Sequence, residues 1–483
     1  MKNVVYISIP LLMLASLNLQ AVAVIEVVDP LSPNNTVYRQ QNITLPAVGT
    51  TISEASSGLD LTRRTNAGVV GSRHEYSRFD PYNTNQSMIL LNGDGGRSGV
   101  YGTQTSGAYN DASNLITTLS VTEARWDRNN SNKLWGFSES SIKTVDFSSG
   151  APIETVVKNF SQDSNLTAKL GYSNFIITMN DEGEASYNNK TWAFLAKEQD
   201  GAGREHIVTW DSQSQQVLGT YELTAREKDN IDWVGMSAKG NYVLVGGLDY
   251  AANEATQNIT GLTMASTDLS RFHRLDYTTA HADVTLDSNG NEVVVMQNTR
   301  TDNIDIIPVD WDTKAITEIP LSGEDAYAGT NRTAIVDLNY DDNSDIGFNG
   351  GVHISGNFDG YALISTTIDA GIAEENWLDR SIILVELNAD DPTTVFLSKI
   401  YNTTEEYWQE THGTISNDGT KVLWAANWDN VGDGGDFDNF LLELDITSLD
   451  LANVGSVPLP GAVYLMGSAL VGLFGFSRKR KKQ

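Results

Sequence analysis

Apolar residues in this chain come in short runs of four to seven, separated by polar turns, and the order of runs and turns repeats. The last copy shows the unit most clearly. His412–Ser416 is extended, Asn417-Asp418-Gly419 is a turn, and Lys421–Asn427 is rich in β-formers. Asp-Gly between two extended runs marks a hairpin, because tight hairpin turns need positive φ, which Gly accepts. The same unit recurs upstream. His353–Asn357 turns at Asp359-Gly360 into Tyr361–Thr366, with Ile382–Leu387 and Val395–Ile400 following. His281–Leu286 turns at Ser288-Asn289-Gly290 into Glu292–Gln297, with Ile304–Trp311 and Ile316–Leu321 following. Asp232–Met236 and Tyr242–Leu248 flank Lys239-Gly240-Asn241. Glu184–Tyr187 leads to Thr191–Ala196, His206–Trp210 and Val217–Leu223. Ala124–Asp127 leads to Lys133–Ser138, Ile142–Phe147 and Ile153–Phe160, and His74–Phe79 with Ser87–Leu91 opens the series.

That makes seven copies at a spacing of roughly 45–60 residues, each with four short strands where the pattern is complete. A four-stranded antiparallel unit cannot bury both faces alone. Radial stacking buries them and leaves only short edges. The reading is therefore an all-β, seven-bladed β-propeller over residues 73–450; a long β-solenoid fits the four-strand rhythm less well. The seventh copy lacks a fourth strand, so a strand within residues 36–62 of the N-terminal arm, 24–72, is expected to close the ring. Ser322–Gly351 reads as an insertion between blades 5 and 6, carrying Asp341, Asp342 and Asp345.

The two ends read as addresses. Met1–Ala23 has Lys2, an apolar run from Val4 to Leu17, and Ala21-Val22-Ala23, the form of a secretory signal peptide. Residues 457–482 contain Val457-Pro458-Leu459-Pro460-Gly461, an apolar stretch able to span a bilayer, and the basic cluster Arg478–Lys482. This tail resembles the PEP-CTERM signal in its VPLP-type variant. The resemblance implies a transmembrane sorting helix, processing by an exosortase, and delivery to the surface or extracellular matrix of a Gram-negative cell. A permanent single-span anchor is the alternative. The Ser/Asp-x-Asn/Asp-Gly turns make the repeats similar to TolB-like and WD40-like propellers, a resemblance that implies architecture and not activity.

Composition narrows the function classes. The net charge is −30, and both ends carry only cations, so the body is more negative still. Such a field disfavours nucleic acid and other polyanions as general-charge partners. With no Cys, disulfides and thiolate metal sites are excluded.

Candidate chemistry follows from register. His353 and His412 each lie seven residues before the turn Gly of their copy; Asp283 lies seven before Gly290 and His281 nine before it. Odd offsets share one face of a strand. Four of the six His begin copies. His281, His353 and His412 are therefore expected to ring one mouth of the central channel as ligands for Zn²⁺ or Mn²⁺. His74, Glu182, Trp233 and Asp283 are the binding candidates beside them. The structural alternative is that each blade-start His bonds the neighbouring blade. A second group, Asp429, Asp433, Asp436 and Asp438, offers oxygen ligands of the kind Ca²⁺ takes. Trp377, Trp408 and Trp428 are candidates for sugar stacking, or for core. The leading functional reading is a surface propeller binding a glycan or a protein partner. A metal-assisted polysaccharide lyase or hydrolase is the alternative, similar in outline to oligogalacturonate lyases, and a structural matrix protein is third.

Overall fold

The computed structural model describes residues 27–449, apart from 33–34, 94–97, 248–256, 277–278, 280, 299–300, 302, 314–331, 339–350, 368–375, 404–409 and 430–439. The proposed signal peptide, the sorting tail, Ile316–Leu321, the acidic group Asp341–Asp345, Trp408, Asp433, Asp436 and Asp438 lie outside the described residues. No helix among the described residues is long and apolar enough to cross a membrane.

Three strands come first: β1 (Val27–Val28), β2 (Thr51–Ser53) and β3 (Asp60–Arg63). Blade 1 has β4 (Met88–Leu91), β5 (Gly99–Gly102) and β6 (Leu115–Thr118). Blade 2 has β7 (Thr122–Trp126), β8 (Lys133–Ser138), β9 (Ser141–Asp146) and β10 (Ile153–Asn159), and blade 3 has β11 (Phe175–Thr178), β12 (Thr191–Glu198), β13 (Glu205–Asp211) and β14 (Gln216–Glu222). Blade 4 has β15 (Ile231–Met236), β16 (Tyr242–Gly247), β17 (Thr263–Ser266) and β18 (Phe272–Arg274). Blade 5 has β19 (Ala282–Leu286), β20 (Glu292–Asn298), β21 (Asn303–Pro308) and β22 (Thr333–Asp337). Blade 6 has β23 (Val352–Ser355), β24 (Tyr361–Thr366), β25 (Ser381–Glu386) and β26 (Thr394–Lys399); blade 7 has β27 (Thr414–Ile415), β28 (Lys421–Ala426) and β29 (Phe440–Asp445).

Each blade is one antiparallel sheet, and alternation along its strands gives it two apolar faces. In β4, Met88 and Leu90 pack toward blade 2, while Ile89 and Leu91 pack toward blade 7. Seven apolar clusters result, one between each pair of neighbouring blades, and the seventh joins blade 7 to blade 1. Seven sheets and seven interfaces make a closed seven-bladed β-propeller.

The N-terminal arm closes it. β3 pairs antiparallel with β29, Leu61 opposite Leu444, and β2 pairs with β3. The closing strand thus sits at the end of the expected window and runs one residue past it. The arm also adds β1 to the outer edge of blade 6, Val27 opposite Val395.

Three local expectations need correction. His74–Phe79 is not a regular strand. The segment is irregular and follows β4 through single bonds, Leu90 N to Pro81 O (2.8 Å) and Asn92 N to Arg73 O (2.9 Å). Pro81 brings no N–H to a ladder, so this inner edge cannot be continuous. In blade 3 the inner strand is β11; Asn180 and Asp181, at φ 57° and 65°, interrupt the line before Glu184–Tyr187. The fourth strand of blade 5 is β22, which lies inside the stretch read as an insertion.

Candidate functional site

The inner strands bring the residues that begin the blades together around the axis. Val352 and Ile354 enter the core between blades 5 and 6, so His353 between them lies on the other face of β23. His281 immediately precedes β19, its carbonyl accepting from Gln297 N at 2.9 Å. His412, two residues before β27, has φ 46°, a backbone conformation uncommon for a non-glycine residue and held here by its neighbours. Gly413 N donates to Ser365 Oγ at 3.0 Å, and Ala425 N to Thr411 O at 2.9 Å.

The rings meet. His281 lies edge-on to His353 with centroids 4.6 Å apart, and His353 lies 4.1 Å from His412. Tyr76 covers both, at 5.6 Å from His353 and 5.0 Å from His412. His74 Nε2 is 2.6 Å from the His412 carbonyl oxygen, which is the neighbouring-blade bond of the structural alternative. Glu410 completes the group: its Oε2 is 2.5 Å from His353 Nε2. One ligand atom each from His353, Glu410 and His412 falls within 4.8 Å of the others. Two imidazoles and a carboxylate suit a divalent ion of the Zn²⁺ or Mn²⁺ type. His353 and His74 are buried, and the Nδ1 atom of each has no hydrogen-bond partner among the described residues. Burial lowers His74 to about 4 and His281 to about 3, the latter helped by His353, and holds His412 well below the ordinary imidazole value. These rings are therefore neutral at pH 7, the form that ligates metal.

Below the rings the axis is filled by side chains. His74, Tyr76 and Arg78 alternate along the irregular edge of blade 1, so Arg78 reaches in one level deeper. Its guanidinium lies over Trp233 (4.2 Å), with Nη1 3.4 Å from Glu182 Oε2 and Nε 3.5 Å from Asp283 Oδ1. Asp283 also accepts from Gly356 N (2.6 Å) and Val284 N (2.7 Å). Burial pushes it up to about 7, against the pull of Arg78. Deeper still, Arg128 stacks on Tyr187 (3.4 Å) and donates to Asn357 O (3.1 Å). Arg78 and Arg128 thus cross the expected central channel.

The sequence candidates sort as follows. His281, His353 and His412 converge, with His74 behind them; Glu182, Trp233 and Asp283 meet one level down around Arg78. Of the calcium-like group, Asp429 is described, and its oxygens are taken by Arg380 (3.3 Å), Thr403 Oγ1 (2.6 Å) and Gln40 Nε2 (2.5 Å). Trp377 is core. Trp428 stacks on Tyr401 at 4.4 Å and donates to Ile43 O at 3.0 Å. Glu410, Tyr76 and Arg78 were missed. The signals for them are slight: Glu410 stands two residues before His412, and Tyr76 and Arg78 keep step with His74.

The sequence matches no protein-family model and no curated protein sequence. Among solved structures, the chain resembles oligogalacturonate lyase from Vibrio parahaemolyticus. That likeness has 10% identity and a TM-score of 0.49, over 82% of this chain and 96% of that one. So distant a likeness carries no residue roles across.

Proposed function

We propose that this chain is an exported, surface-directed propeller that binds a glycan at the histidine mouth, with a divalent metal held by His353, Glu410 and His412. The observation that supports this is the convergence of two buried imidazoles and one carboxylate from blade 6, blade 7 and the connection between them. A bound ion would offer open coordination positions to ligand oxygens. His281 and Tyr76 would line the ion's surroundings, and the Arg78 layer would form the floor.

The test is calorimetric titration of metal-stripped protein with Mn²⁺ and with Zn²⁺. One ion per chain is expected for the wild type, with at least roughly tenfold weaker binding in His353→Ala and in Glu410→Gln. Equal binding by both variants would remove the site. Export and sorting are part of the same proposal; terminal mass spectrometry of the mature protein should find a start after Ala23 and an end near the Pro458-Leu459-Pro460 motif.

A second reading, a lyase or hydrolase at the same mouth, rests on one feature. An imidazole oriented by a carboxylate, with its other nitrogen without a hydrogen-bond partner among the described residues, has the form of a general base, and His353 beside Glu410 has it. Chain scission of a bound polysaccharide that disappears in His353→Ala would support this reading. Binding without scission would leave the first.

A further inference from the structure

A small cavity lies where blades 1, 3, 4 and 5 meet around the axis. Arg78, Glu184, Tyr187, Trp233 and Asp283 line it, and it has room for about one water molecule. His353, Glu410 and His412 are not among its lining residues. Arg78, Trp233 and Asp283 are all buried, at 3%, 1% and 2% exposed.

One polar atom at this cavity is left over. Arg78 Nε is a buried donor with no hydrogen-bond partner among the described residues. The rest of the guanidinium is placed: it lies over Trp233, and Nη1 stands 3.4 Å from Glu182 Oε2. Asp283 Oδ1 is 3.5 Å from Nε, beyond the usual length of an N–H···O bond. Asp283 is not free to swing closer, because Gly356 N and Val284 N hold its two oxygens at 2.6 and 2.7 Å. A charged pair at that separation, with a cavity and an unused donor beside it, has the geometry of a water-bridged contact. A buried donor without a partner is costly, so the fold gains by filling the gap.

The lining selects the occupant. Nε–H requires an acceptor, which a metal ion is not. A halide only accepts, and it would face the acidic side chains of Asp283 and Glu184. Tyr187 directs its hydroxyl proton at the Val284 and Gly356 carbonyls, at 3.2 and 3.5 Å, which leaves its oxygen as an acceptor. Water both accepts and donates. We propose that this cavity is a hydration site holding one structural water, which accepts from Arg78 Nε and donates to Asp283 and to a second lining oxygen, Glu184 or Tyr187. The water fixes Arg78 across the axis, and the site is independent of any metal at the histidines.

Crystals of the full chain grown without added metal, at a resolution that shows ordered water, test this. One well-ordered peak is expected between Arg78 Nε and Asp283 Oδ1, with no anomalous signal after a bromide soak. Arg78→Lys keeps the charge but has no Nε–H; it should lose the peak and melt below wild type. A dry cavity, a direct bond from Nε to a carboxylate, or bromide at the site overturns the proposal. So does an Arg78→Lys variant that keeps the water or melts as wild type. If that variant does not fold, the wild-type density decides alone.

Discussion

At Gly246 the missing side chain makes room for the axis. A Cβ there would collide with the Trp233 indole, which in turn carries the Arg78 guanidinium. Gly246→Ala should therefore push Trp233 aside and cost about 1–3 kcal/mol, the usual cost of overpacking; denaturant unfolding measures it, and a variant as stable as wild type would contradict the packing described. Asp283 adds a pH signature. Burial raises it to about 7, while in the unfolded chain it titrates near its ordinary value of 3.8. The folded state therefore holds a proton that the unfolded state has released, so stability rises as pH falls from about 7 toward 4. Asp80, also raised to about 7 by burial, acts in the same direction. Melting temperature should climb between pH 8 and pH 5, and climb less in Asp283→Asn; identical slopes would show that Asp283 is not the group responsible. Of the residues in the mouth, the histidines were legible because offset from a turn Gly fixes face and depth. Glu410 was not, because it lies in the connection ahead of its copy, and Tyr76 was not, because its copy has no turn Gly at a regular offset to count from.

Closure is the decision made at the level of elements. β3 completes blade 7, and its junction with blade 1 carries a buried polar network. Glu443 on β29 accepts from Tyr82 and, at 3.0 Å, from Tyr109, both reaching from blade 1. Arg64, just after β3, binds its other oxygen at 2.6 Å, with Lys421 at 3.4 Å. Burial works against the ionised form, yet Arg64 and Lys421 hold Glu443 below the ordinary carboxylate value. Its contribution is thus present above the unfolded value and lost as pH falls through the folded one, a more acidic window than that of Asp283. Glu443→Gln should cost about 3–5 kcal/mol, because it leaves Arg64 facing a neutral amide in a buried network; an unaltered melt would contradict this. Removing residues 1–63 should abolish cooperative unfolding by circular dichroism, since blade 7 would lose its outer strands and the ring its latch. Blades 2, 6 and 7 were legible because Asn/Asp-Gly turns or clean alternation bound their strands. Blade 1, β11 and β22 were not. Pro81 breaks one ladder, positive φ at Asn180 and Asp181 breaks another, and β22 competes with an equally β-rich run at Ile316–Leu321.

Over the whole molecule, seven blades give seven apolar interfaces, an axis packed by Arg78 and Arg128, and a cluster of histidines at one end of it. The repeat period made the ring legible. It could not show that the axis is filled, because that depends on long side chains crossing from one blade to several others. We propose that His353, Glu410 and His412 hold a metal. Crystals of the full chain grown with Mn²⁺ and measured for anomalous scattering test it most directly. One strong peak within coordination distance of His353, Glu410 and His412 is expected. Peaks only at surface carboxylates, or none, would contradict it.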